Sequence, residues 1–287
     1  MKRKESLLGR YAALIYFILA FIITWGSIFL VVGSIGFPIS AEQIESAGPL
    51  VYVGMLVGPS LAGILMIGLV EGWEGYRELL SRMGQWRVSI SWYAIALLTV
   101  PLLVLIILYF LSLGSSEYLP AITLVDDKVT LLVSGIVMGL VVAFFEEIGW
   151  TGFVVPKLRQ SNNVLVTGII VGLLWGAWHY PPFSSSINNA EGISPALYLS
   201  VLLFSFLPAY RVLLVWIYDQ TNSLLLVILM HAPLSASQLI LIPPTLSGSK
   251  LVTYDLIFGA ALWIIVAFVL LTKPNVISKI ELDQGKT

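Results

Sequence analysis

The chain has 287 residues, of which 58% are hydrophobic and 11% charged. A soluble domain carries roughly 25% charged residues, so the composition excludes one and points to an all-α, polytopic membrane protein. A net charge of -1 gives no ground for a nucleic-acid partner, and the absence of cysteine excludes disulfides, thiolate catalysis and Cys-ligated zinc or iron–sulfur sites.

The N-terminal Met1-Lys2-Arg3-Lys4 precedes an apolar run, Tyr11–Val32, of 22 residues. That is longer than a secretory h-region of roughly 7–15 residues, and no small-x-small cleavage site follows, so it reads as a first transmembrane helix. A bilayer-spanning helix needs about 20 mostly apolar residues. Seven further segments qualify: Leu50–Val70, Ser91–Leu113, Val129–Val155, Val164–Tyr180, Pro195–Tyr218, Ser223–Ile242 and Leu251–Leu271. The fourth to seventh of the eight are interrupted by Gly, Pro or polar residues, which membranes tolerate only where protein buries the break. Between the second and third, Glu71–Arg87 reads as an amphipathic cytoplasmic loop anchored at the interface by Trp73 and Trp86. No repeat or linker divides the chain, so a single transmembrane domain over residues 1–287 is expected. Thirteen of the 15 basic residues fall on one side of this arrangement, and only Lys128 and Lys250 on the other. The positive-inside rule then places both termini in the cytoplasm of a multi-pass protein of the cell membrane.

The polar residues inside these segments are few. Glu146 and Glu147 end a 17-residue run, Val129–Phe145, that has no charge. An ionisable side chain at membrane depth is costly and marks a functional site by default. Adjacent residues lie about 100° apart on a helix, so one Glu faces the site and the other needs a structural partner. Both histidines of the chain sit in apolar segments. Trp175 and His179 share one helix face, as do His231 and Ser235. With a turn near Gln160–Ser161, Glu146 lies about 21 Å above it and His179 about 26 Å, while His231 lies about 18 Å above Asp219. The three groups therefore fit one layer of a bundle. A carboxylate and an imidazole in a low-dielectric cavity can hold and deprotonate a water, and a second imidazole beside a hydroxyl can donate to an oxyanion. The alternative for the same set is a divalent metal, zinc, on Glu146, His179 and His231. No H-E-x-x-H is present, which excludes a zincin site.

The pattern Glu146-Glu147-Ile-Gly-Trp-Thr151, then Trp175-Gly-Ala-Trp-His179, then His231-Ala-Pro-Leu-Ser235 resembles the CPBP (Abi) intramembrane proteases, relatives of the type II CAAX prenyl endopeptidase. The resemblance covers about residues 129–242. It implies that Glu146 activates water with His179, that His231 and Ser235 form the oxyanion site, and that Trp175 is a packing aromatic. It implies a glutamate-based mechanism needing no cofactor, with zinc as the alternative. The substrate would be a membrane-associated protein or peptide met in the lipid bilayer. Thr151 stands where the pattern has Arg, and Ser235 where it has Asn. With no Arg at 151, Glu147 needs a cation from elsewhere. The only basic residue well inside an apolar segment is Arg211, which is expected to supply that charge; Trp150 is expected to pack or to line the cavity. Two other classes share the residues: a catalytically silent relative that binds a membrane partner such as a sensor kinase or a bacteriocin, and a transporter using Glu146 and Glu147 as a proton site. The transporter would favour internal inverted symmetry, which the sequence lacks.

Overall fold

A computed structural model of the chain describes residues 7–33, 41–184 and 190–272, and the regular structure among them is helical. The principal helices are α1 (Ala12–Val32), α2 (Ala41–Val70), α3 (Gly72–Met83), α4 (Ile90–Ser112), α5 (Lys128–Gly149), α6 (Val164–Trp178), α7 (Pro195–Phe204), α8 (Leu207–Thr221), α9 (Leu224–Ile240) and α10 (Gly248–Thr272). Among the described residues six stretches are long and apolar enough to cross a membrane: Ala12–Val32, Ala47–Val70, Ile90–Ser112, Lys128–Arg159, Pro195–Thr221 and Gly248–Thr272. The expected fifth and seventh segments are helical but shorter. α6 has 15 residues and α9 has 17, about 22 and 25 Å at 1.5 Å per residue, short of a hydrocarbon core of roughly 30 Å. α6 stops where Pro181 and Pro182, which lack a backbone N–H, follow it. The result is a polytopic membrane bundle of six long apolar stretches with two shorter apolar helices among them.

Two expected elements are more complex than the sequence suggested. The sixth segment, read as one helix, is two, because Ser205 and Phe206 break it between α7 and α8. The fourth continues beyond Gly149 through a π turn, Trp150–Val154, into a last helical turn, Val155–Arg159. Such wide turns recur at functional sites because they re-aim the side chains around them.

Contacts between loops define the two ends of the bundle. At one end Lys157 pairs with Glu71 at 2.6 Å, Arg159 with Asp219 at 2.5 Å, and Ser223 Oγ donates to the Gln85 carbonyl at 2.6 Å. At the other end Lys250 pairs with Glu117, Ser247 Oγ donates to Glu191 at 2.5 Å, and Ala121 N–H donates to the Leu241 carbonyl at 2.9 Å. α3 lies at the first end, and its role exceeds that of an interfacial anchor. Arg82 is buried, and its guanidinium donates to Tyr218 OH at 2.7 Å and to the Gly152 carbonyl at 3.1 Å. It thereby ties α3 to both the π turn and α8.

The helices around the site approach closely because glycine is used where they cross. Gly168, Gly172 and Gly176 recur every four residues and line one face of α6. A β-carbon on Gly168 would sit 2.5 Å from Val212 Cα, one on Gly172 2.5 Å from Pro208 Cα, and one on Gly176 would run into the Leu203 carbonyl oxygen. Without a hydrophobic force between helices in lipid, this close packing is a main source of association. Replacing Gly172 by Val should therefore cost about 1–3 kcal/mol through overpacking. Gly26, where an added β-carbon would meet nothing within 4 Å, is the control. In thermal unfolding of the detergent-purified protein, Gly172→Val should lower the midpoint by several degrees and Gly26→Ala should leave it unchanged or raise it.

Candidate active site

α5, α6, α8 and α9 converge on the carboxylate pair. Glu146 and Glu147 point in different directions, as adjacent helical residues must. Glu147 faces away from the cavity into a fully protein-lined interior. Its carboxylate accepts from Arg211 Nη1 at 2.9 and 3.0 Å, from His231 Nδ1 at 2.7 Å and from the Thr151 hydroxyl. The expected Arg211–Glu147 pair is therefore present, and both side chains are fully buried. Thr151, which lacks the charge of the family's Arg, still bonds Glu147 from one turn away. The Arg211 guanidinium also lies over the Trp175 ring, 4.2 Å from its centroid. This cation–π contact suits a planar, weakly hydrated cation in a dry interior.

Trp175 does more than pack. Its indole N–H donates to Glu146 Oε2 at 2.7 Å. Its ring meets the imidazoles of His179 and His231 edge-on, at centroid distances of 5.4 and 5.2 Å. One side chain thus touches Glu146, both imidazoles and the Arg211 guanidinium. The sequence, from which Trp175 reads as a packing aromatic, did not announce the bond.

His179 is held by its own helix. Its Nδ1 lies 2.8 Å from the Trp175 carbonyl. A carbonyl can only accept, so Nδ1 carries the hydrogen and Nε2 presents a lone pair. His231 is oriented by the same logic: Nδ1–H donates to the Glu147 carboxylate. The Tyr210 hydroxyl donates to the Met230 carbonyl next to it, fastening α8 to α9.

Glu146, Trp175, His179, His231 and Ser235 all line one cavity of about 550 Å³. Glu146 is 3% exposed, and among the described residues its Oε1 takes no hydrogen bond from protein. No hydrogen bond joins Glu146 to His179; the cavity lies between them. Trp150 does not line it. That ring is buried against Tyr16 and Trp178 at centroid distances of 5.5 and 5.8 Å, directly beneath the site. The zinc alternative requires Glu146, His179 and His231 to share one ion. Among the described residues no group of three or more His, Asp or Glu is placed to hold a metal, so this geometry does not fit the zinc set. The cavity also contains a residue the motifs did not include, Asp255 of α10.

Breaking a buried pair by removing one partner typically costs about 3–5 kcal/mol, because the other charge is left uncompensated. Arg211→Leu should therefore destabilise the detergent-purified protein strongly. Adding Glu147→Gln, which removes the orphaned charge and keeps an acceptor for His231, should recover part of the loss. A double-mutant cycle by chemical or thermal unfolding measures this, and additive effects would contradict the pairing.

Residues 128–236 match the family described as type II CAAX prenyl endopeptidase Rce1-like. The chain is also similar to CAAX prenyl protease 2 of Methanococcus maripaludis, with 20% identity over 197 residues, 66% of this chain and 71% of that protein. The family match runs from the start of α5 to just past Ser235 and so contains Glu146, Trp175, His179, Arg211 and His231. The stretch that supplies the carboxylates, the imidazoles and the buried arginine is thus the stretch that is similar to the Rce1-like type II CAAX prenyl endopeptidases.

Proposed function

We propose that the chain is an intramembrane endopeptidase, hydrolysing a peptide bond of a membrane-associated protein or peptide with a water activated by Glu146 and His179. The observation that carries this reading is the shared cavity, in which a carboxylate with one free oxygen faces an imidazole lone pair. A water between them gives a proton to Glu146, and its oxygen bonds to the scissile carbonyl carbon. His179 Nε2 accepts the water's second hydrogen and fixes its orientation. The carbonyl oxygen takes the electron pair of the broken π bond and is met by His231 and the Ser235 hydroxyl. Collapse of the intermediate breaks the C–N bond, and the leaving amine takes the proton from Glu146.

The Glu147 network has a part in this scheme. With Nδ1–H committed to Glu147, His231 can donate from Nε2 only as the imidazolium. The Glu147 carboxylate, itself paired with Arg211, holds that Nδ1–H in place. Arg211 and Glu147 therefore act through His231 and never touch substrate. For the topology, the end of the bundle with Arg77, Arg82, Arg87, Lys157 and Arg159 faces the cytoplasm. Eight helical crossings then bring both termini to that side of the cell membrane.

Two partners acting on one water should not contribute additively. With the full chain in detergent and a peptide library read by mass spectrometry, Glu146→Gln should reduce cleavage by about 10²–10⁴-fold. Glu146→Ala, His179→Ala and the double variant should share one residual rate. A folded wild-type protein that cleaves nothing, or a Glu146→Gln variant that cleaves as well, contradicts the enzymatic reading. A double variant showing the product of the two single losses contradicts the shared water.

A further inference from the structure

The cavity extends beyond the catalytic layer, and its far wall contains a carboxylate that the reaction does not use. Asp255 is 4% exposed and lines the same cavity as Glu146 and His231. Among the described residues its carboxylate has no hydrogen bond and no ion pair. The basic residue five positions before it, Lys250, is committed to Glu117, and Arg211 is committed to Glu147. Two phenols lie close enough for the Asp255 charge to act on them, Tyr198 and Tyr254. Neither hydroxyl has a hydrogen-bond partner, so neither is bonded to Asp255. The surrounding wall is apolar: Leu202, Phe206, Leu246 and Leu251. A carboxylate left unpaired in such a wall is costly at any depth of the membrane, and the space it faces is the space the substrate fills.

Depth places the group near the reaction. Counted inward from the ends of α9 and α10, Ile240 and Gly248, His231 lies about 13 Å in and Asp255 about 10 Å in at 1.5 Å per residue. The two therefore face the cavity at similar depth from different walls. We propose that Asp255 is a specificity-determining residue that binds a cationic group of the substrate, a Lys or Arg side chain or a free α-amine, a short way along the peptide from the bond held at Glu146. This rests on the cavity being a peptide site, as the proteolytic reading has it. A monovalent organic cation suits a single carboxylate; the metal alternative would need further ligands, and among the described residues none converge here.

The cavity is also one-sided. Its lining residues come from the first half of α2, from α5 up to Glu146, from the last turn of α6 and the residues just after it, from α7 to the start of α8, from the second half of α9 and from the start of α10. None comes from residues 150–174 or 208–230. All of it lies toward the end of the bundle marked by the Lys250–Glu117 pair, opposite the basic loops, and the cation would enter from that half.

The test separates binding from cleavage. Peptide binding is measured on the full chain carrying Glu146→Gln, with and without Asp255→Asn, in detergent. The probes are fluorophore-labelled, N-acetylated and C-amidated hexapeptides of Leu, Ala and Ser, one residue of which is Lys in one series and norleucine in the other. A third series has norleucine and a free α-amine. The lysine or free-amine peptides should bind about 10-fold tighter than the neutral ones, and which of the two does so identifies the source of the cation. Asp255→Asn should abolish that difference and leave the neutral peptides unchanged. Equal affinities for all series, a loss shared equally by neutral and cationic peptides, or no saturable binding of any cationic peptide overturns the assignment. Because Glu146→Gln is silent in cleavage, failure of the proteolytic reading leaves this measurement intact. An independent check with Glu146 in place is Asp255→Lys, which should shift cleavage in the library from Lys-containing toward Glu-containing peptides.

Discussion

The site depends on one buried ion pair. Glu147 and Arg211 meet with no exposure to solvent, on helices that come from different parts of the chain. Two charges in such a place are costly unless they are paired, and here Arg211 donates to Glu147 through Nη1 alone, its Nε and Nη2 having no hydrogen-bond partner among the described residues. The pair's other contacts are with residues of the site itself: His231 and Thr151 on the carboxylate, the Trp175 ring over the guanidinium. The pair fixes α5 to α8 and, through His231, α9 to both. Trp175 then passes the same constraint to Glu146 and α6. Four helices are held in one arrangement by polar contacts at the depth where lipid could supply none.

The second constraint is length. If α6 and α9 crossed the full layer, their side chains would fill the region above Glu146. Because α6 stops at Trp178 and α7 is only ten residues long before its break, the far half of the bundle is left open as a cavity. The glycine face of α6 keeps its short helix tight against α7 and α8 in spite of the missing length. Closure on one side and opening on the other thus come from the same few elements.

Much of this was legible in the sequence, for identifiable reasons. Eight apolar segments stand out against so few charges, and Glu146, Glu147, His179, His231 and Arg211 are conspicuous because each interrupts an otherwise apolar segment. The need of Glu147 for a cation, once Thr151 was seen to be neutral, singled out Arg211. What escaped the sequence was of a different kind. The bond from Trp175 to Glu146 depends on which edge of a ring faces a neighbouring helix, and no spacing encodes that. The π turn after Gly149 has no composition signature. The latch from Arg82 to the π turn crosses 70 residues of chain and looked like one more basic residue of an interfacial loop. Asp255 near the start of an apolar helix reads as an end-of-helix charge until the shape of the cavity is known. The glycines of α6 were there to be read, since they repeat every four residues, and only their packing partners were hidden.

The closed side of the cavity has a meaning for the membrane as a whole. Beneath Glu146 and His179 the chain is filled by Trp150, Trp178, Tyr210 and the Arg211–Glu147 pair, all buried. The cavity over Glu146 is lined toward the Lys250–Glu117 end of the bundle, and these buried residues close it toward the basic loops. On the proteolytic reading, the reaction takes place in a blind vestibule rather than in a pore. On that reading a bond is cut at membrane depth above a closed layer, and the tryptophans that support the site also bar a continuous path through the bundle.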